Sequence, residues 1–344
     1  VNGVLDLVRS RGAVAQLCVI EDGEVVLDAA IGCRPDALFW IFSASKPFVA
    51  LLVHQLAERG ELDLDDPVVK HWPEFGKPDI TIRHVLQHRA GIPTVHGPAR
   101  DMLAMTDWHR SIRAIEQVRP RYPAGAVPAY HVVTFGFILG ELVRRVTGTP
   151  VEKVLAERLV APLGLDDIHL GLPPGEWGRH VPLRGHGRAA KLAQLYVNRR
   201  TAREAVIPAA GISATARDIA RFYDTLLSGG GPVLRPETVA EARKPSSDGE
   251  IDRFLGVQTR WSQGFQLGGP VDSGARPRAM GGLSSAETFG HNGSNCCIAW
   301  ADPTRRLAFA YLTSQLGPRY VGAGHIAAVA DAVIGARAGN AGNR

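Results

Sequence analysis

The chain has 344 residues, of which 45% are hydrophobic and 21% charged, with a formal net charge of +5. This balance supports one large core or two smaller ones and excludes an intrinsically disordered chain. The pI near 9.2 comes mostly from scattered arginines. No dense basic run with interleaved aromatics marks a nucleic-acid surface, and no segment reaches the apolar length of a membrane span.

Residues 13–31 read as two short strands around Asp22-Gly23, apolar on both faces, as in a sheet covered on each side. Phe48, Leu52 and Leu56 then recur at helical spacing, with Pro47 suited to a first turn and Gly60 to a stop. Residues 82–89 form a short helical candidate. His84 and His88 there have the four-residue spacing of metal ligands, but neither a glutamate between them nor a third ligand accompanies them, so both read as structural. Phe135, Ile138, Leu139, Leu142, Val143 and Val146 make an amphipathic stripe ended by Gly148, and residues 151–159 continue the helical trend.

Residues 173–210, with Pro173-Pro174 and several glycines, read as a long surface excursion. A further helix is capped by Thr215, buries Ile219, Phe222, Tyr223 and Leu226, and stops at Gly229-Gly230-Gly231. The run Trp261-Ser262-Gln263-Gly264-Phe265 either lines a substrate pocket or fills the sheet, and the usual burial of aromatics favours core packing. Residues 296–301 and 307–313 form a second hairpin, followed by a closing helix over 321–336 carrying Ile326, Val329, Val333 and Ile334.

Strands at both ends with helices between them imply an α+β fold, its antiparallel sheet built from the two chain ends and flanked by helices. The expected domains are an α/β unit of residues 1–75 and 205–344, and a mainly helical lobe of 76–204. Cys18, Cys33, Cys296 and Cys297 include no C-x-x-C and read as free thiols. The first residues carry no basic region followed by an apolar stretch, so the expectation is a cytoplasmic protein. No phosphate-binding loop or dinucleotide fingerprint is present, and no cofactor or metal is expected. Nothing in the sequence fixes the oligomeric state.

Chemistry is carried by three separated segments. Ser43 and Lys46 lie one helical turn apart, so the amine reaches the hydroxyl at a helix N-terminus, where unpaired N–H groups favour an oxyanion. Tyr130 sits on a loop entering the strongest helix. His291-Asn292-Gly293 precedes the C-terminal hairpin, where a glycine lets a substrate lie against a strand edge and the Ser294 N–H can donate to it.

Taken in order, Ser43-x-x-Lys46, Tyr130 and His291-x-Gly293 resemble the three motifs of the serine β-lactamase-like superfamily, in its class C lactamase and family VIII carboxylesterase branch. The likeness extends to residues 56–67, 88–93, 130–136 and 161–165. It implies Ser43 as acyl-forming nucleophile, Lys46 and Tyr130 sharing the proton traffic, and an oxyanion hole from the N–H groups of Ser43 and Ser294. His291 stands where lactamases usually carry lysine. The asparagine that lactamases carry two positions after the tyrosine is Val132 here, which points away from lactams and peptides and toward small-molecule esters.

Hydrolysis of a carboxylic ester is therefore the expected reaction. Acyl transfer to an alcohol or amine is the alternative, with lactamase or D-amino-acid peptidase activity less favoured and a non-catalytic binding protein the reading from another class. Lysine titrates near ~10.4 and tyrosine near ~10 when unperturbed, so a working base needs a shifted environment. A Tyr130 phenolate would need a cation such as Lys46 or protonated His291. The sequence leaves open which residue is the base.

Overall fold

The computed structural model describes residues 2–271, 277–278, 280–317 and 319–341. Its main sheet contains β1 (Ala15–Glu21), β2 (Glu24–Ile31), β3 (Gln266–Leu267), β4 (Phe289–Gly293), β5 (Cys297–Asp302) and β6 (Leu307–Thr313), in the spatial order β2-β1-β6-β5-β4-β3. Every neighbouring pair is antiparallel. The first strand thus pairs with the last, Ala15 opposite Thr313 and Glu21 opposite Leu307.

Asp22 and Gly23 both adopt positive φ, 54° and 81°, the geometry a two-residue turn needs to match the strand twist. β1 is buried on both faces, but β2 is the sheet edge and half exposed, with Val25 at 50%. The expectation of a doubly covered hairpin therefore holds for one of its strands only.

Period-two alternation assigns the two faces. Leu17, Val19, Ile298, Trp300, Phe309 and Tyr311 pack with helix α1 (Asn2–Ser10) and the C-terminal α5 (Arg319–Ala341). The opposite face carries Ala299, Ala301, Ala308 and Ala310, and these small side chains admit α4 (Ala216–Leu227) close against the sheet. Thr215 caps α4 by accepting the Asp218 N–H at 3.3 Å. Beside α4 run α2 (Lys46–Glu58) and, packed on it, α3 (Thr134–Thr147), which ends at Gly148 with φ 68°. Phe48 of α2 stacks on Phe222 of α4 at 4.1 Å.

Residues 173–210 differ from the expected surface excursion. They include helices Arg188–Val197 and Arg200–Glu204, pair Arg184–Gly185 in parallel with Gln315–Leu316, and bury Leu183, Val197, Ala202 and Ile207. Proline and glycine punctuate the segment, but apolar residues tie it down. A three-stranded sheet of Phe39–Trp40, Ile212–Ala214 and Ile168–Leu170 was also not foreseen, because strands of two or three residues carry no readable period. Among the described residues no helix is long and apolar enough to cross a membrane.

Candidate active site

Ser43 lies in a single tight turn, Phe42–Ser45, directly ahead of α2. The expected helix N-terminus is therefore present, with Ser43 one short turn upstream of it. Ser45, at the cap position, uses its hydroxyl to accept the Ile212 N–H at 3.2 Å and so ties the turn to the small sheet. Phe42 adopts φ 49°, an uncommon conformation for a non-glycine residue that the surrounding packing must hold.

The end of β4 presses on this turn. A Cβ at Gly293 would lie 2.1 Å from the Ile41 carbonyl oxygen, so the glycine is required by the protein's own backbone. The backbone of Ile41, and not a substrate as expected, occupies that space. Beyond it Ser294 turns at φ 50° and lines the same cavity as Ser43.

Lys46 has no solvent exposure. Its Nζ lies 3.2 Å from Ser43 Oγ, 2.8 Å from the Val132 carbonyl oxygen and 3.3 Å from that of Ala209. Burial, with no anionic partner among the described residues, holds the amine well below the usual lysine range. Ala209 can come so near because Gly136 of α3 has no side chain: a Cβ there would sit 2.1 Å from the Ala209 nitrogen.

Tyr130 Oη donates to Ser43 Oγ at 2.7 Å, so Tyr130, far along the chain, meets the Ser43–Lys46 pair at one hydroxyl. Its ring is sandwiched in aromatic neighbours. Trp261 stacks on it at 5.3 Å and 10°, and His88 and His291 approach at 5.0 and 6.1 Å. Burial first, then the Asp252 charge, push the phenol above its ordinary value, against the pull of the Ser43 hydrogen bond.

His291 is 3% exposed and its Nδ1 pairs with the Asn292 carbonyl at 2.8 Å. Burial, then the Lys46 charge, push its pKa down to about 3. The protonated His291 envisaged as a partner for a phenolate is thus disfavoured.

His84 and His88 serve the backbone. His84 Nδ1 accepts the Thr81 N–H in a helix cap, and His88 Nδ1 accepts the His131 N–H beside Tyr130. Among the described residues no group of three or more His, Cys, Asp or Glu is placed to hold a metal ion. The four cysteines are free, and Cys296 and Cys297 are buried.

Of two further residues at the site, Trp261 takes the pocket-lining alternative over the favoured core packing, and Asp252 has no signal in the sequence. Trp261 lines the cavity and stacks on Tyr130, whereas its neighbour Phe265 packs against Phe289 as core. Asp252, fully buried, accepts the Tyr130 N–H. The cavity has a volume of about 350 Å³, and its wall is mainly apolar, with Val132, Phe254, Val257, Trp261 and Leu267 beside Ser43.

Comparison with known proteins agrees with this geometry. The family model described as Beta-lactamase matches residues 6–333. The esterase/beta-lactamase LipL of Mycobacterium tuberculosis is 30% identical, covering 87% of this chain and 76% of that protein. Esterase EstB of Burkholderia gladioli is 29% identical over 83% of this chain and 82% of its own. A crystal structure of a family VIII carboxylesterase superposes with a TM-score of 0.80 at 28% identity, covering 95% of this chain and 96% of that one. The chain belongs to the beta-lactamase family and is a serine hydrolase of that superfamily.

Proposed function

We propose that the protein hydrolyses carboxylic esters through an acyl-enzyme on Ser43, with Lys46 as the resting base and Tyr130 as the proton donor to the leaving group. The observation that carries this reading is the proton inventory around Ser43 Oγ. A neutral amine offers two N–H groups and one lone pair. The Val132 and Ala209 carbonyls accept the two N–H groups, which leaves the lone pair for the Ser43 O–H. The Tyr130 O–H supplies the remaining hydrogen bond to Ser43 Oγ.

On attack, the Ser43 oxygen bonds the ester carbonyl carbon while its proton passes to Lys46. The N–H groups of Ser43 and Ser294 face the developing oxyanion. As the C–O bond to the alcohol breaks, Tyr130 gives its proton to the departing oxygen. The phenolate left behind lies against the newly charged Lys46, whose Nζ is 4.7 Å from the ring centroid. Water then repeats the sequence in reverse and releases the acid. An apolar cavity suits an ester, and Val132 offers no side-chain hydrogen bond to an amide next to a lactam ring.

The test is turnover of p-nitrophenyl acetate and butyrate by wild type and Ser43→Ala, with mass spectrometry of the intact protein during turnover. The expected result is loss of activity and an acyl adduct on Ser43. Equal rates in the two proteins would remove Ser43 from the mechanism. Added alcohol or amine acceptors yielding a new ester or amide in place of acid would make the protein an acyltransferase. Nitrocefin turnover comparable with that of the esters would make it a lactamase.

A further inference from the structure

Asp252 ends the two-residue strand Ile251–Asp252 and has no solvent exposure. A buried carboxylate is costly unless its lone pairs are satisfied, and these are. Both oxygens take the Tyr130 N–H, at 3.1 and 2.9 Å. Oδ1 also accepts the N–H groups of Phe254 and Leu255 at 2.9 and 2.8 Å, and Oδ2 the Trp261 indole N–H at 3.0 Å. Among the described residues none of the ion pairs includes it.

These five contacts converge on one object. The carboxylate grips the backbone of Tyr130, the edge of the indole that stacks on the Tyr130 ring, and the segment that walls the cavity. Asp252 thus holds both the Tyr130 backbone and the indole stacked on its ring. We infer that Asp252 is a positioning residue for the Tyr130 phenol, fixing its hydroxyl on Ser43 and keeping it protonated until the leaving group departs. The inference rests on the reading of Tyr130 as proton donor.

A carboxylate near the ring disfavours a phenolate, and Asp252 acts in that direction on Tyr130 together with burial. The other titratable groups facing the ring are Lys46, His88 and His291. Burial holds both histidines neutral, so neither switches in the alkaline range where a phenol titrates.

The test is a double-mutant cycle between Asp252→Asn and Tyr130→Phe, read as kcat on p-nitrophenyl butyrate, with a pH profile of each single variant. A positioning role predicts that Asp252→Asn lowers kcat roughly 10- to 100-fold in wild type, the scale of a small misplacement of a reacting group. In the Tyr130→Phe background, where no hydroxyl remains to be placed, the same change has an effect below about twofold. The alkaline limb of the Asp252→Asn profile moves to lower pH by about one unit. An equal factor in both backgrounds, or an unmoved limb, overturns the inference.

Trp261→Phe removes the indole donor and shortens the ring stacked on Tyr130, so it applies the same cycle should Asp252→Asn fail to fold. It is expected to lower kcat by a larger factor in wild type than in Tyr130→Phe, where only its effect on the cavity wall remains. A like effect in both backgrounds overturns the inference again. If Tyr130→Phe alone has wild-type activity, the proton-donor reading of Tyr130 fails, and the inference falls with it for that separate reason.

Discussion

Lys46 Nζ hydrogen-bonds the main-chain carbonyl of Val132 at 2.8 Å, so the backbone at this position fixes the amine whatever side chain it carries. Lys46→Met removes that amine and is expected to lower kcat by at least about 10³-fold, the upper range of general base effects. Its stability has a distinct pH signature. The folded pKa of Lys46 lies below its unfolded value of ~10.4, so between the two the unfolded chain binds the extra proton and wild type loses stability as pH falls. The stability of Lys46→Met relative to wild type should grow by about 1.4 kcal/mol per pH unit on lowering the pH through that window. Parallel denaturant titrations at pH 10, 9 and 8 measure it, and a constant difference would refute a neutral Lys46.

Tyr130→Phe retains the ring that stacks on Trp261 and removes only the hydroxyl that reaches Ser43. The expectation is a fall in kcat of about 10²- to 10⁴-fold with little change in KM. Esters with better leaving groups need less proton assistance and should suffer smaller losses. A series of substituted phenyl butyrates gives the slope, and a uniform loss across it would count against proton donation to the leaving alcohol.

Gly293→Ala brings a Cβ against the Ile41 carbonyl oxygen, in the turn that carries Ser43. Backbone must move, at a cost of about 1–3 kcal/mol in stability. Displacing the nucleophile should reduce kcat on the order of 10²-fold. Thermal melting and turnover of the variant read the two effects, and a variant of normal rate would show that the turn and the strand end do not constrain each other.

Four histidines should set the acid limit of the fold. Burial pushes His54 and His131 down to about 4, His291 down to about 3, and His88 well below its ordinary value. Each stays neutral when folded but gains a proton below ~6.5 when unfolded, so the stabilisation is full above that pH and is lost on acidification. At about 1.4 kcal/mol per unit each, the four together remove on the order of 5 kcal/mol per pH unit. Against a usual stability of 5–15 kcal/mol, cooperative unfolding is expected between about pH 4 and 5.5. Circular dichroism across an acid titration checks this, and a native spectrum at pH 3.5 would contradict it.

The site was legible where chemistry shows in local spacing. Ser43 and Lys46 are three apart before an apolar helix, and the cap at Thr215 precedes a regular stripe. Tyr130 and His291 became visible through the resemblance, which supplied their order along the chain. Asp252 was invisible for a physical reason: it acts on backbone N–H groups and one indole, partners with no side-chain signature, from a strand too short to show alternation. Trp261 read as core because stacking on a catalytic ring and packing in a core demand the same residue type. Residues 173–210 misled because proline and glycine mark turns without revealing that the apolar residues between them are buried.

The pairing of β1 with β6 places a demand on synthesis. β1 waits for a partner that follows almost 300 residues later in the chain, and at ~5–20 residues per second that delay is about 15–60 s. Until then β1 pairs along one edge with β2, while its other edge is open to strands of other chains. A nascent chain halted before Phe289 would lack β4, β5 and β6 together, and with them the strand end that holds the nucleophile turn. Catalytic competence therefore waits for β4, β5 and β6, and chaperone protection is needed most during the minute before they emerge.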